Sequence, residues 1–180
     1  MKANNAPKKS VALDDAAWLH SVVEQYESSL VRYAARLLGD VEQARDVAQD
    51  TFLRLCREPR EKVENRVRQW LFAVCRNRAM DVLKKENRMK ALSDERAERC
   101  TSRDGDHAVA LERKETASRA TAILENLPEN QREVIRLKVQ NGLSYREISD
   151  VTGLSVSNVG FLLHKGIKTI RERLAYGTGL

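Results

Sequence analysis

From Asp14 onward, apolar residues recur at steps of three and four: Trp18, Val22, Tyr26, Leu30, Tyr33, Ala34, Leu37 and Leu38. That spacing predicts an amphipathic helix, with Gly39 as its stop. Asp40 opens a second helix as N-cap, and Gln43, three residues on, makes an approximate capping box. Its apolar stripe is Ala44, Val47, Ala48, Thr51, Phe52 and Leu55. The charged stretch REPREKVENR around Pro59 breaks the period and reads as a loop. A third helix is expected from about Val67, burying Trp70, Leu71, Val74, Cys75, Ala79, Val82 and Leu83. None of these stripes can be buried alone, so the three helices are expected to close one small bundle over 14–88.

The pattern then changes character. From Glu86 the sequence runs ENRMKALSDERAERCTSRDGD, densely charged, with no sustained stripe beyond a short helix around Leu92. Such composition buries too little apolar surface to offset chain entropy, so 89–106 is expected to be a linker, and 1–13 a disordered lead-in. Beyond it the helical period returns from about Ala108 to Asn126, through Val109, Leu111, Ala117, Ala120, Ile123 and Leu124. Leu127-Pro128 marks a boundary. The next helix, begun by Glu129 or Asn130, carries Val134, Ile135, Leu137 and Val139 and is stopped by Asn141-Gly142. The fold class is therefore all-α, two small helical domains joined by a charged linker, the second over 107–176.

Local chemistry is most specific near the C-terminus. Ser144 and Glu147 form a capping box at the start of a short helix burying Ile148 and Val151, and Gly153 gives a tight turn. The small Ser149 suits a steep crossing of two helices. Ser155 caps a longer helix whose inward residues are Val156, Val159, Leu162, Leu163, Ile167 and Ile170. Short helix, glycine turn and longer helix constitute a DNA-binding helix-turn-helix, whose second helix enters the major groove. Ser157 and Asn158 stand where base edges are met. His164, Lys165, Lys168, Arg171 and Arg173 form a basic face for phosphates, which Arg146 reaches from the preceding helix. A trihelical bundle with a merely solvated basic face is the plainer alternative.

Bulk composition agrees with a polyanionic partner: 180 residues carry a formal net charge of +6, with 32% charged and only 5% aromatic residues. Nucleic acid comes first and an anionic membrane surface second. No apolar run reaches the length of a membrane span, and MKANNAPKKS lacks the apolar core of a signal peptide, so a cytoplasmic protein without membrane insertion is expected. Cys56, Cys75 and Cys100 are odd in number and far apart, and His20, His107 and His164 are isolated in sequence, so neither disulfides nor a metal site is expected. Cys56 and Cys75 read as small buried apolar residues. No cofactor is implied. No carboxylates, histidines or nucleophile with a base appear at catalytic spacing, which argues against an enzyme.

A helix-turn-helix leaves the first bundle unexplained. There DVAQDTFLRL places Asp46, Gln49, Asp50 and Arg54 opposite the apolar stripe. GDVEQARDVAQDTFLRL resembles the helix with which extracytoplasmic-function sigma factors, of the sigma-seventy class, dock on the clamp of bacterial RNA polymerase. RQWLFAVCRNRAMDVLKKENR resembles the promoter-melting helix of their region two, and LPENQREVIRLKVQNGLSYREISDVTGLSVSNVGFLLHKGIKTIRERL resembles their region four almost end to end. The resemblance covers roughly 20–88 and 107–174.

It implies a subunit that binds core RNA polymerase and promoter DNA, with an anti-sigma factor as the natural inhibitor. It also implies polymerase contacts at Asp46, Gln49, Asp50 and Arg54, with Thr51, Phe52 and Leu55 as core. Trp70, Arg76, Asn77, Asp81, Lys84 and Lys85 would face the downstream promoter element as single strands, where unstacked bases sit in pockets and cations hold the backbone. Trp70 belongs equally to the apolar stripe. The loop 57–66 corresponds to a base-capturing loop, with no pocket residue assigned. Arg146, Ser155, Ser157, Asn158, His164, Lys165 and Lys168 would hold the upstream element. Many relatives place a lysine or arginine and another polar residue where this chain has Gly160 and Phe161. Phe161 can meet a thymine methyl or pack on a partner. The rival reading is a conventional helix-turn-helix regulator, which binds duplex DNA without polymerase.

Overall fold

The computed structural model describes residues 7–92 and 111–176; residues 1–6 of the expected lead-in, 93–106 of the expected linker, Cys100 and His107 lie outside them. Every element among the described residues is helical. The chain divides into two compact units, Met1–Ser102 and Arg103–Leu180.

In the first unit, α1 spans Pro7–Leu38 and begins well before the expected Asp14. Proline is favoured in a first helical turn, where its missing N–H would have no partner anyway. Gly39 ends the helix at φ 76 and donates its N–H to the Ala35 carbonyl at 2.8 Å. Helix α2, Val41–Leu55, is capped by Asp40, whose Oδ1 accepts from the backbone N of Glu42 at 2.8 Å and of Gln43 at 3.1 Å. The reciprocal half of the expected capping box is not made. Gln43 instead donates its side-chain amide to Glu86 Oε1, 2.7 Å away on α4, Val67–Leu92.

Helices α1, α2 and α4 pack mutually. Leu30, Tyr33, Ala34, Ala44, Val47, Ala48, Leu55, Leu71, Phe72, Cys75 and Ala79 fill the space between them. The alanines lack side chains beyond Cβ and let the helices approach. Tyr33 meets Phe72 edge to face, with centroids 5.3 Å apart. Phe72 displaces the expected stripe of α4: it is 1% exposed, whereas Trp70, Val74 and Val82 are half-buried.

The stretch expected to be a loop contains two short turns, α3 at Arg60–Val63 and a 3-10 turn at Glu64–Arg66. A single buried side chain, Val63, anchors them. Arg60 ties them to α1, with Nη1 2.6 Å from Asp14 Oδ2, Nε 3.0 Å from Glu64 Oε2 and the guanidinium 5.4 Å from the Trp18 ring centroid. One apolar residue creates no period, which is why the helical turns are invisible in the hydrophobic pattern.

The second unit contains α5, Leu111–Glu125, α6, Glu129–Ile135, α7, Tyr145–Thr152, and α8, Val156–Tyr176. The expected start of α5 at Ala108, and Val109 with it, lie outside the described residues. Between α6 and α7 the chain widens into a π-turn, Arg136–Gln140, closed by Asn141 N donating to the Arg136 carbonyl at 3.2 Å. The extra residue in that turn shifts the helical register, so Val139, expected in the core, is 69% exposed while Leu137 and Leu143 are buried. Arg136 is buried and bonds both Glu125 oxygens at 2.6 Å through Nη2. Gly166 of α8 is buried because a Cβ there would stand 2.6 Å from Ile135 Cδ1.

Candidate nucleic-acid interface

The turn between α7 and α8 is held by short-range hydrogen bonds. Ser144 Oγ accepts from Glu147 N at 3.2 Å, and Glu147 Oε2 accepts from Ser144 N at 2.7 Å, completing the capping box. Gly153 sits at φ 75, a left-handed conformation costly for any residue with a Cβ. Ser149 Oγ donates to the Leu154 carbonyl at 2.6 Å, so this serine fastens the turn as well as fitting the crossing. Thr152 Oγ1 donates to the Ile148 carbonyl at 2.7 Å and accepts from Leu154 N at 3.3 Å. Ser155 Oγ accepts from Asn158 N at 3.2 Å, capping α8. Each cap contributes about 1 kcal/mol. Ile148, Val151, Val159 and Leu163 lock the two helices together.

This packing fixes which face of α8 looks outward. Ser157, Asn158, His164, Lys165 and Lys168 are all exposed there, with Arg171 and Arg173 beyond them, and Arg146 is exposed on α7. Lys168 Nζ lies 3.8 Å from Glu172, a loose surface pair that leaves its charge available. Val156, expected inward, is 47% exposed; as the first residue of α8 it precedes the turn that packs. Tyr145 lies beside Gly160, with its Cε2 3.7 Å from the Cβ position, an ordinary contact that does not demand glycine. Lys138 Nζ stands 5.5 Å from that tyrosine's ring centroid.

In the first unit, Asp46, Gln49 and Arg54 are exposed on α2. Asp50 differs from them: its Oδ2 lies 3.3 Å from Arg54 Nε and 3.0 Å from Arg78 Nε on α4. It lies outside the apolar stripe, yet it bridges two helices because Arg78 reaches it from α4. Leu53, seven residues after Asp46 and hence on the same face, is 52% exposed, an apolar side chain that the polar pattern of this face does not reveal. A groove between α2 and α4 is lined by Gln43, Asp46, Arg78, Asp81, Lys85 and Met89. On α4, Asn77, Asp81, Lys84 and Lys85 are exposed, while Trp70 and Arg76 are half-buried. The structure thus brings the α8 residues onto one face; on α4, Trp70, Asn77, Asp81 and Lys84 share a face, whereas Arg76 and Lys85 stand on opposite sides of the helix.

Cys75 is buried and its thiol is pushed up to about 12 by desolvation, against a smaller opposing pull from its hydrogen bond with Thr51. Cys56 is exposed, contrary to expectation, because it caps the C-terminus of α2 outside the stripe. Among the described residues no three His, Cys, Asp or Glu side chains cluster for a metal. None of the described helices is long and apolar enough to cross a membrane.

Comparison with known proteins agrees with both halves. Residues 22–89 match the Sigma-70 region 2 family and 118–170 the Sigma-70, region 4 family, together about two thirds of the chain. The chain is 29% identical over 167 residues to the ECF RNA polymerase sigma factor SigL of Mycobacterium tuberculosis, covering 91% of this chain and 92% of that protein. It is 28% identical over 178 residues to the ECF RNA polymerase sigma factor SigW of Bacillus subtilis, covering 92% and 94%. Against the ECF RNA polymerase sigma factor SigE of Mycolicibacterium smegmatis, identity is 28% over 156 residues, and the match spans 60% of that longer protein. A solved structure of the sigma factor RpoE, in complex with the anti-sigma factor NepR from Bartonella quintana, has the same fold, with a TM-score of 0.69 at 21% identity over 90% of this chain and 97% of that one. The chain belongs to the sigma-seventy family of RNA polymerase sigma factors, within its extracytoplasmic-function group.

Proposed function

We propose that this chain is an alternative sigma factor that binds core RNA polymerase, selects promoters at two elements and helps to open the strands. The observation that carries the reading is the pairing, in one chain, of a capped helix-turn-helix with a basic outward α8 and a separate bundle whose α2 exposes Asp46, Gln49 and Arg54. Residues 14–88 and 107–176 are the working domains, and 89–106 joins them, except that α4 carries the first domain's helix on to Leu92.

Each part has a distinct task. Exposed Asp46, Gln49 and Arg54, with the partly exposed Asp50, dock on polymerase, and Leu53 adds an apolar contact among them. Asn77, Lys84 and Lys85, with Trp70 and Arg76, hold the downstream element as its bases unstack, the cations neutralising phosphate and the indole offering a stacking surface. Ser155, Ser157, Asn158, His164, Lys165 and Lys168, with Arg146, hold the upstream element as duplex. The chain performs no covalent step: polymerase carries the catalysis, and this subunit supplies sequence choice. It works in the cytoplasm, where its promoters are, and an anti-sigma factor restrains it by covering the polymerase-docking surface.

Footprinting of the reconstituted holoenzyme on genomic promoter fragments tests this reading. Protection of two separated elements, with single-strand reactivity confined to the downstream one, is expected. Protection by the chain without core polymerase, at one duplex site only, would instead indicate a conventional regulator.

A further inference from the structure

Phe161 occupies an unusual place for an aromatic side chain. It lies two residues from each of the buried Val159 and Leu163, hence about 160° around the helix from both. It therefore points straight away from the core. It is 59% exposed. By the same geometry Ser157 and Lys168 stand within about 40° of it, so the phenyl ring is the centre line of the outward face.

Core packing does not require a phenyl ring at this position. The residues sharing its face are Ser157, Asn158, His164, Lys165 and Lys168, all exposed. Lys165 Nζ is 5.8 Å from the Phe161 ring centroid. A protein-docking patch is a contiguous apolar area. Here the arc of α8 around the ring carries hydroxyl, amide, imidazole and ammonium groups, with the exposed Val156 and Tyr145 off that arc, which suits a surface alternating between base edges and phosphates. A phenyl ring has no hydrogen-bond donor and no strong acceptor, and the one apolar group that a base pair displays in the major groove is the thymine C5 methyl.

We propose that Phe161 is a specificity-determining residue of the upstream element, selecting thymine by packing on its C5 methyl. The inference rests on the proposed role of α8 as the duplex-reading helix. Tyr145 stands beside Gly160, about 100° around α8 from Phe161, and so off the arc that the phenyl ring occupies.

The test is a selection by holoenzyme, reconstituted from the full chain and core polymerase, on duplex libraries randomised over one helical turn of the upstream region. One library contains thymine and the other uracil, which differs only by the methyl group. The wild-type chain is expected to enrich thymine at one position by about fourfold, the size of one buried methyl, and to lose that preference in the uracil library. Phe161→Ser removes the preference and Phe161→Leu retains it. Equal enrichment of thymine and uracil, or an unaltered preference in Phe161→Ser, overturns the inference while the helix-turn-helix reading stands. Reduced polymerase association in Phe161→Ser with unaltered base preference assigns the ring to protein docking instead. Enrichment of no motif by any variant overturns the reading of α8 itself, and the inference with it.

Discussion

Two glycines of α8, six residues apart, are expected to respond oppositely to the same substitution. Alanine in a helix interior is favoured over glycine by about 1 kcal/mol, because it has less backbone freedom to lose on folding. At Gly160 the added methyl would meet Tyr145 Cε2 at 3.7 Å, an ordinary contact, so the propensity gain survives. At Gly166 it would stand 2.6 Å from Ile135 Cδ1, with Leu127 Cδ1 at 3.5 Å and Gln131 Cβ at 3.6 Å. Ile135 is 5% exposed and Leu127 6%, so neither can swing into solvent. Overpacking of this kind costs about 1–3 kcal/mol and outweighs the helical gain. Gly160→Ala should therefore stabilise the second unit by about 1 kcal/mol, and Gly166→Ala should destabilise it by up to about 2 kcal/mol. Hydrogen exchange at the Val159 and Leu163 amides, followed by NMR in the full chain, reads this unit directly. Slower exchange in Gly166→Ala than in Gly160→Ala would refute the close approach of α8 to α6.

Asp50→Ala should weaken binding to core polymerase while lowering the stability of the first unit by less than about 1 kcal/mol, the worth of a partly exposed ion pair. Trp18 and Trp70 both lie in that unit, so tryptophan fluorescence follows its unfolding alone; unchanged core affinity would remove Asp50 from the docking surface. Lys168→Ala should weaken upstream-element binding about equally across sequences and flatten the salt dependence by about one unit, whereas an effect at a single base pair would make it a base reader. Burial raises the Cys75 thiol from 9.0 to about 12, so its protonated form stabilises the fold fully below about pH 9, and that contribution is lost as pH rises towards 12. Cys75→Ala should accordingly lose less stability over that alkaline window in a denaturant titration, and an identical loss in both proteins would contradict the burial. At neutral pH a thiol reagent should label Cys56 in the folded chain and spare Cys75.

What was legible in the sequence was chiefly what is local. Ser144 with Glu147, Gly153 and Ser155 act within four residues of themselves, so reading neighbours along the chain sufficed for the turn and both caps. The helical period likewise located the three packing helices of the first unit and, on α8, the inward Val159, Leu162, Leu163, Ile167 and Ile170, while misplacing Val156 and passing over the buried Gly166. Features set by distant partners were not legible. Gly166 looks like any helical glycine until Ile135 is brought against it, and Asp50 looks solvated until Arg78 arrives from α4. Val139 obeys the period of an α-helix but stands outside, because one wider turn rotates it away from the core. The turns at 60–66 rest on Val63 and on Arg60 bonding back to Asp14, neither of which leaves a periodic trace. For the candidate interface, exposure of the basic side chains of α8 followed from the packing of Val159 and Leu163, whereas the face of α4 was blurred by the inward turn of Phe72.

Run-off transcription tests the central claim most directly. Purified full chain is added to core RNA polymerase from the same organism, with a template pool of genomic promoter fragments. Discrete transcripts that core polymerase alone does not make, starting at a fixed distance from a shared pair of upstream and downstream elements, are the expected result. Transcription indistinguishable from that of core polymerase alone would contradict the assignment of this chain as a promoter-selecting subunit.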